Sequence, residues 1–139
     1  MLPNLPKQIK KREADFGIRL GHWLAKNPQH SCAYELKQTT GSSIPFDALE
    51  VQQIAYLKNI NSGAGALLRI PGTRGEPDYV WLRNFPASVV IRFPREFSLI
   101  SIETFLLEKR RSSRKSLTVQ RAREISTVTV PLGRIGATV

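Results

Sequence analysis

The sequence predicts an α/β domain, with a central mixed β-sheet flanked by helices. Three observations lead there. Segments of helical period alternate with short runs rich in Val, Ile, Leu and aromatic residues. The element order reads helix, strand, helix, several strands, two helices and a last strand. The chain has 139 residues, the size of one domain around one core. Residues 1–139 are expected to form a single domain, with a basic N-terminal arm over about 1–12 and a frayed tail over about 131–139.

Each element has its own reason. Residues 8–26 read as a helix, because Ile9, Glu13, Phe16, Leu20 and Leu24 fall in one stripe at 100° per residue. Asp15 and His22 point the other way, so Glu13 stands alone as an acid in an apolar face. Asn27-Pro28 ends the helix. Residues 31–38 read as a strand. Period two puts Ala33, Glu35 and Lys37 on one face and Cys32, Tyr34 and Leu36 on the other. "TTGSS" is a loop. "PFDALEV" starts the next helix, with Asp47 expected as N-cap, Glu50 at N3, and Phe46 and Val51 as a staple. That helix runs to about Asn61, with Leu49, Tyr56, Leu57 and Ile60 on its apolar face and Gln52 and Gln53 at its edges.

"GAGALLRI" reads as a strand entered through a Gly-rich turn, and "PGTRGEPD" as an exposed loop. "YVWLRN", "ASVVIRF" and "FSLISI" read as three further strands. "ETFLLEKRR" is a short helix, "SSRKS" a basic loop, "TVQRAREI" a short helix capped by Thr118, and "STVTV" the final strand. Trp23 and Trp81 are expected in the core. His22 and His30 are expected at the surface.

Charge restricts the function classes. Lys and Arg number 21 against 11 Asp and Glu, a net of +10, and such a field favours a polyanionic partner. The cations crowd both ends: Lys7, Lys10, Lys11 and Arg12, then Lys109, Arg110, Arg111, Arg114, Lys115, Arg121 and Arg123. One cysteine, Cys32, excludes an intrachain disulfide and a cysteine zinc cluster. No apolar run is long enough to cross a bilayer, and the N-terminus lacks the apolar region of a signal peptide. A reducing, cytoplasmic setting is expected.

Glu35 and Lys37 set opposite charges in a half-apolar strand, which is costly without a use. Glu13 on the preceding helix and Gln52 or Gln53 on the following one are the groups expected to approach them. A carboxylate pair with a lysine suits phosphodiester hydrolysis: the acids hold Mg²⁺, which takes oxygen ligands and keeps waters, and the lysine steadies the attacking water or the developing charge. An E-x-K on a strand is also an ordinary surface ion pair, so the motif alone is unspecific.

"YELKQTTGSSIPFDALEVQQIAYL" (34–57) resembles the central block of RecU-type Holliday junction resolvases and related phage-type nucleases of the PD-(D/E)xK superfamily. The shared series is a strand with E-x-K, a K/Q-x-T turn, an S-x-P-F stretch and a helix bearing Gln. "RKSLTVQRAREI" is similar to the basic segment that follows in those proteins. The likeness spans roughly residues 10–130. It implies a restriction-endonuclease-like core, a Mg²⁺- or Mn²⁺-dependent endodeoxyribonuclease acting on branched DNA, a C2 homodimer, and a bacterial or phage origin. It implies Glu35 and Glu13 as metal ligands, Lys37 as the catalytic lysine, and Gln53 as the helix glutamine, with Gln52 and Tyr56 as an alternative pair. Lys10, Lys11, Arg12, Thr39, Gln52, Arg110, Arg111, Arg114, Lys115 and Ser116 would meet the DNA.

One departure stands out. The superfamily supplies an Asp shortly before the E-x-K, yet no acid lies between Asp15 and Glu35. Asp78, Glu50 and Asp47 are the candidate replacements. The rival expectation is therefore a DNA-binding protein on the same fold without catalysis; a small RNA-binding protein is a third, which leaves the acid–lysine pair unexplained.

Overall fold

A computed structural model describes residues 7–70, 72 and 74–133, with side chains from Asp15 onward. It is an α/β domain whose central mixed sheet is flanked by helices. Helix α1 spans Lys7–Lys26 and strand β1 Ala33–Gln38. Strand β2 is Ser43–Pro45, followed by a 3-10 turn at Phe46–Ala48 and helix α2 at Val51–Asn61. Strands β3 (Ala66–Ile70), β4 (Asp78–Leu82), β5 (Ala87–Arg92) and β6 (Glu96–Ser101) follow. Helix α3 is Ile102–Arg111, β7 Ser116–Thr118, α4 Val119–Ile125 and β8 Val128–Pro131.

The main sheet has the order β1-β5-β6-β8. β1 runs parallel to β5, with α2 in the crossover between them; β5–β6 and β6–β8 are antiparallel. β5 and β6 are buried along nearly their whole length, as strands covered on both faces must be. The two faces carry different cores. On one, Ala87, Val89, Ile91 and Ile100 meet Leu57 and Ile60 of α2 and Ile102 and Phe105 of α3. On the other, Val90, Phe97 and Leu99 meet Phe16 and Leu20 of α1. Leu20, Leu57 and Ile60 are fully buried, and each such side chain contributes about 1.5–3 kcal/mol.

Several expectations change. Asp47 does not cap α2. Phe46 is pulled into the core, edge-on to Phe105, and Leu49 takes an extended backbone (ψ 113°). The helix therefore starts later, with Glu50 as N-cap in a capping box with Gln53. Val51, expected as a staple, is exposed. The loops expected at 39–43 and 112–116 run into short strands: Ser43–Pro45 pairs antiparallel with Ser116–Thr118. β3 and β4 leave the main sheet and pair with each other. Trp81, expected in the core, is exposed on that hairpin.

Lys7–Arg12 belong to α1 rather than to an arm; residues 1–6 and 134–139 lie outside the described residues. The start of the expected frayed tail is held, since Pro131 ends β8 and the Leu132 N–H donates to the Arg95 carbonyl at 2.9 Å. Thr118 caps α4 as expected, its hydroxyl accepting from the Arg121 N–H at 3.1 Å. Among the described residues, no helix is long and apolar enough to cross a membrane.

Candidate functional site

Strand alternation decides where the acid and the lysine point. Glu35 lies beside Val89 and Lys37 beside Ile91. Val89 and Ile91 belong to the core under α2 and α3, so Glu35 and Lys37 face that layer too. Tyr34 and Leu36 pack with Phe16 and Leu20 on the opposite face. Both charged residues are half-buried, at the edge strand of the sheet.

The expected meeting of Glu13 with Glu35 and Lys37 is not among the contacts described. The side chains of Lys10, Lys11, Arg12 and Glu13 lie outside the described residues. The helix that carries them packs by Phe16 and Leu20 against the other face of the sheet. Helical period shows which side of α1 is apolar; it does not say which face of the sheet that side covers.

Gln53 does meet Glu35. It sits at N3 of α2, where its Oε1 accepts the Glu50 N–H at 3.0 Å. The cap turns the amide so that Nε2 lies 3.4 Å from Glu35 Oε2, a long hydrogen bond. Gln52 is exposed and donates instead to the Glu50 carboxylate. Tyr56, one turn further along, adjoins the pair. Burial first, and the negative charge of Glu35 second, push its phenol above the ordinary tyrosine range. Its hydroxyl donates to the Leu67 carbonyl at 3.2 Å, which ties α2 to the β3–β4 hairpin.

None of the acids expected as replacements for the absent Asp is in contact with Glu35 among the contacts described. Glu50 caps α2. Asp47 is exposed and pairs with Lys109 at 3.3 Å. Asp78 opens β4 on the hairpin. Among the described residues, no group of three His, Cys, Asp or Glu side chains converges to hold a metal. Glu35 is a single carboxylate beside an amide, so these residues do not make up a Mg²⁺ ligand set, and no hydrolytic step through a metal follows from them.

The basic segment is organised by its pairing with the S-x-P-F stretch. The Phe46 N–H donates to the Lys115 carbonyl at 3.0 Å and the Val119 N–H to the Ser42 carbonyl at 2.8 Å. Thr39 closes the intervening turn: its hydroxyl donates to the Ser43 carbonyl at 2.9 Å and accepts the Gly41 N–H at 3.2 Å. Its oxygen is therefore committed to the loop. Arg110, Arg111, Arg114 and Lys115 are exposed, while Ser116 is half-buried in β7.

Arg111, Arg114, Ser112, Ser116 and Arg121 line a cavity of about 500 Å³ between α3 and α4. Arg121 spans Glu108 and Glu124 across it. The Arg121 hydrogen bonds hold the Glu108 carboxyl below its ordinary range. Arg123 forks onto the buried Glu96, its Nε donating at 2.8 Å, which fastens α4 to β6.

The residue pattern also holds a signal that the reading of strands alone leaves unused. Period two along β3 and β4 puts Leu67, Arg69, Tyr79 and Trp81 on one face, and that face is exposed. No family model, curated protein or solved structure matches the chain.

Proposed function

We propose that this chain is an endodeoxyribonuclease of the PD-(D/E)xK type, with a restriction-endonuclease-like core, acting on branched or structured DNA as a homodimer and with Mg²⁺ or Mn²⁺. The observation that carries the reading is the Gln53 amide against Glu35: a helix glutamine meets the E-x-K strand, as the resemblance implies. The S-x-P-F and R-K-S-L segments lie some 70 residues apart in sequence and pair side by side, which supports the same reading.

In this reading Glu35 is the carboxylate available to a divalent ion, Gln53 orients it, and Lys37 is the cation beside the scissile phosphate. The exposed Arg110, Arg111, Arg114 and Lys115 grip phosphates, which positions DNA without reading its sequence. Glu13, whose side chain lies outside the described residues, remains the acid that the resemblance assigns as second ligand.

A second reading has its own observation: the described residues gather only one carboxylate at the site, which favours a protein that binds branched DNA without cutting it. A synthetic four-way junction separates the two. With Mg²⁺ or Mn²⁺ the wild-type chain cuts it, and Lys37→Ala and Glu35→Gln bind it while cutting is lost about 100-fold or more. Tight binding by wild type with the junction left intact in either metal overturns the nuclease reading and leaves the second.

A further inference from the structure

We infer that the outward face of the β3–β4 hairpin is a stacking platform for unpaired DNA bases. Trp81 is 58% exposed, Tyr79 57% and Leu67 52%, three of the most exposed large apolar side chains among the described residues. A soluble surface leaves single apolar residues exposed, but a contiguous patch marks a contact. The antiparallel register sets Leu67 beside Trp81 and Arg69 beside Tyr79. These four share a face, and Arg83 follows just past the strand. The face thus carries two aromatic rings and two guanidinium groups, and no carboxylate.

That composition selects the occupant. Nucleobases stack on aromatic rings whatever their sequence, and neighbouring arginines neutralise the phosphates between them. A second protein chain would gain from the apolar patch, but the paired arginines favour a polyanion, as does the net charge of +10. The platform is also built rather than loose. Gly65 holds φ +76°, and a Cβ there would lie 2.5 Å from Trp81 Nε1, so the indole rests directly on the glycine backbone. Ala66 and Leu82 on the hairpin's inner face pack onto the main core.

Tyr56 joins the hairpin to the helix bearing Gln53, so the platform is tied to the element that carries part of the candidate site. The inference rests on the DNA-binding part of the proposed function and not on cleavage.

The test is run in EDTA, where no metal-dependent cutting can occur. Trp23→Phe leaves Trp81 as the only tryptophan of the two in the chain. A short oligothymidine should quench its emission saturably. Trp81→Ala should weaken oligothymidine binding about tenfold or more, Trp81→Phe should restore most of it, and affinity for blunt duplex should stay unchanged. Emission that does not respond at saturating oligothymidine overturns the inference. So does a Trp81→Ala chain that binds oligothymidine like wild type. So does a Trp81→Ala chain that loses self-association in sedimentation while DNA binding persists, which would make the face a protein contact. A chain that never cuts junctions can still pass this test, and one that cuts them can fail it.

Discussion

Gln53→Glu tests the geometry of the candidate site without any assay of activity. The new carboxylate keeps an oxygen to accept the Glu50 N–H, and Glu serves at N3 of a capping box as well as Gln. Helix α2 should therefore start unchanged. What changes is the contact to Glu35, where an amide N–H at 3.4 Å becomes a second negative charge. At that separation two charges repel by about 1 kcal/mol in bulk water and about 5 kcal/mol at an effective dielectric near 20. Both residues are half-buried, so a penalty of about 1–3 kcal/mol is expected. One carboxyl of the pair then keeps its proton to higher pH in the folded state than in the unfolded state, because the like charge beside it disfavours ionisation. The folded state holds a proton there that the unfolded state has released, so stability falls as pH rises. The penalty is absent below about pH 4 and complete once that carboxyl has ionised. Urea denaturation from pH 4 to pH 8 reads it directly. Gln52→Glu is the control, since it adds a charge near Glu50 on an exposed surface without meeting Glu35, and exposed pairs are worth little. Adding Glu35→Gln to Gln53→Glu should restore the wild-type pH profile. If Gln53→Glu follows wild type at every pH, the two side chains do not sit together and the site as described is wrong.

Two ion pairs on α3 and α4 should behave differently. Glu96 is 8% exposed, so Arg123→Met strands a buried carboxylate and should cost about 2 kcal/mol; Lys109→Met breaks only the pair with the exposed Asp47 and should cost under about 0.5 kcal/mol, and equal losses in urea would refute the contrast. Arg121 holds the Glu108 carboxyl low, so that pair stabilises above the unfolded carboxylate's pKa of about 4.3 and its contribution is lost as pH falls through the folded value. Glu108→Gln should therefore be less stable than wild type at pH 7, with the gap narrowing as pH falls below the unfolded carboxylate's range, and a gap of constant size across the acid range would refute the assignment. Binding to junction DNA should weaken by orders of magnitude between about 50 and 200 mM salt, and a flat titration would show that the basic segments do not neutralise phosphates.

Local signals in the sequence were strong where one residue type decides one geometry. Alternation placed Glu35 and Lys37 together and opposite Tyr34 and Leu36, and the structure keeps that division between two cores. Thr118 was recognisable as a cap because a short polar residue stood directly before a helical run. Three things were not legible. A three-residue strand has no measurable period, so Ser43–Pro45 and Ser116–Thr118 looked like loops until they paired. Asp47 had the better capping chemistry, but burying Phe46 set the backbone before the helix could begin. In "YVWLRN" both faces are apolar, so alternation could not tell which side of the hairpin would be covered. Residue type alone favours the core for Trp81, and it lies outside it.

The face that β1 presents also limits where a second carboxylate can come from. Any acid that joins Glu35 must reach the α2 side of the sheet. Of the acids weighed, Glu50 is the one linked to Glu35 through a shared neighbour, because Gln53 takes the Glu50 N–H with one end of its amide and touches Glu35 with the other. The Glu50 carboxylate is committed to the cap, accepting the backbone N–H of Gln53 and the amide of Gln52. Releasing an N-cap costs about 1 kcal/mol, and Glu50 is exposed, so no core packing is lost with it. Freeing Glu50 towards Glu35 would therefore carry only a small local cost, confined to the first turn of α2.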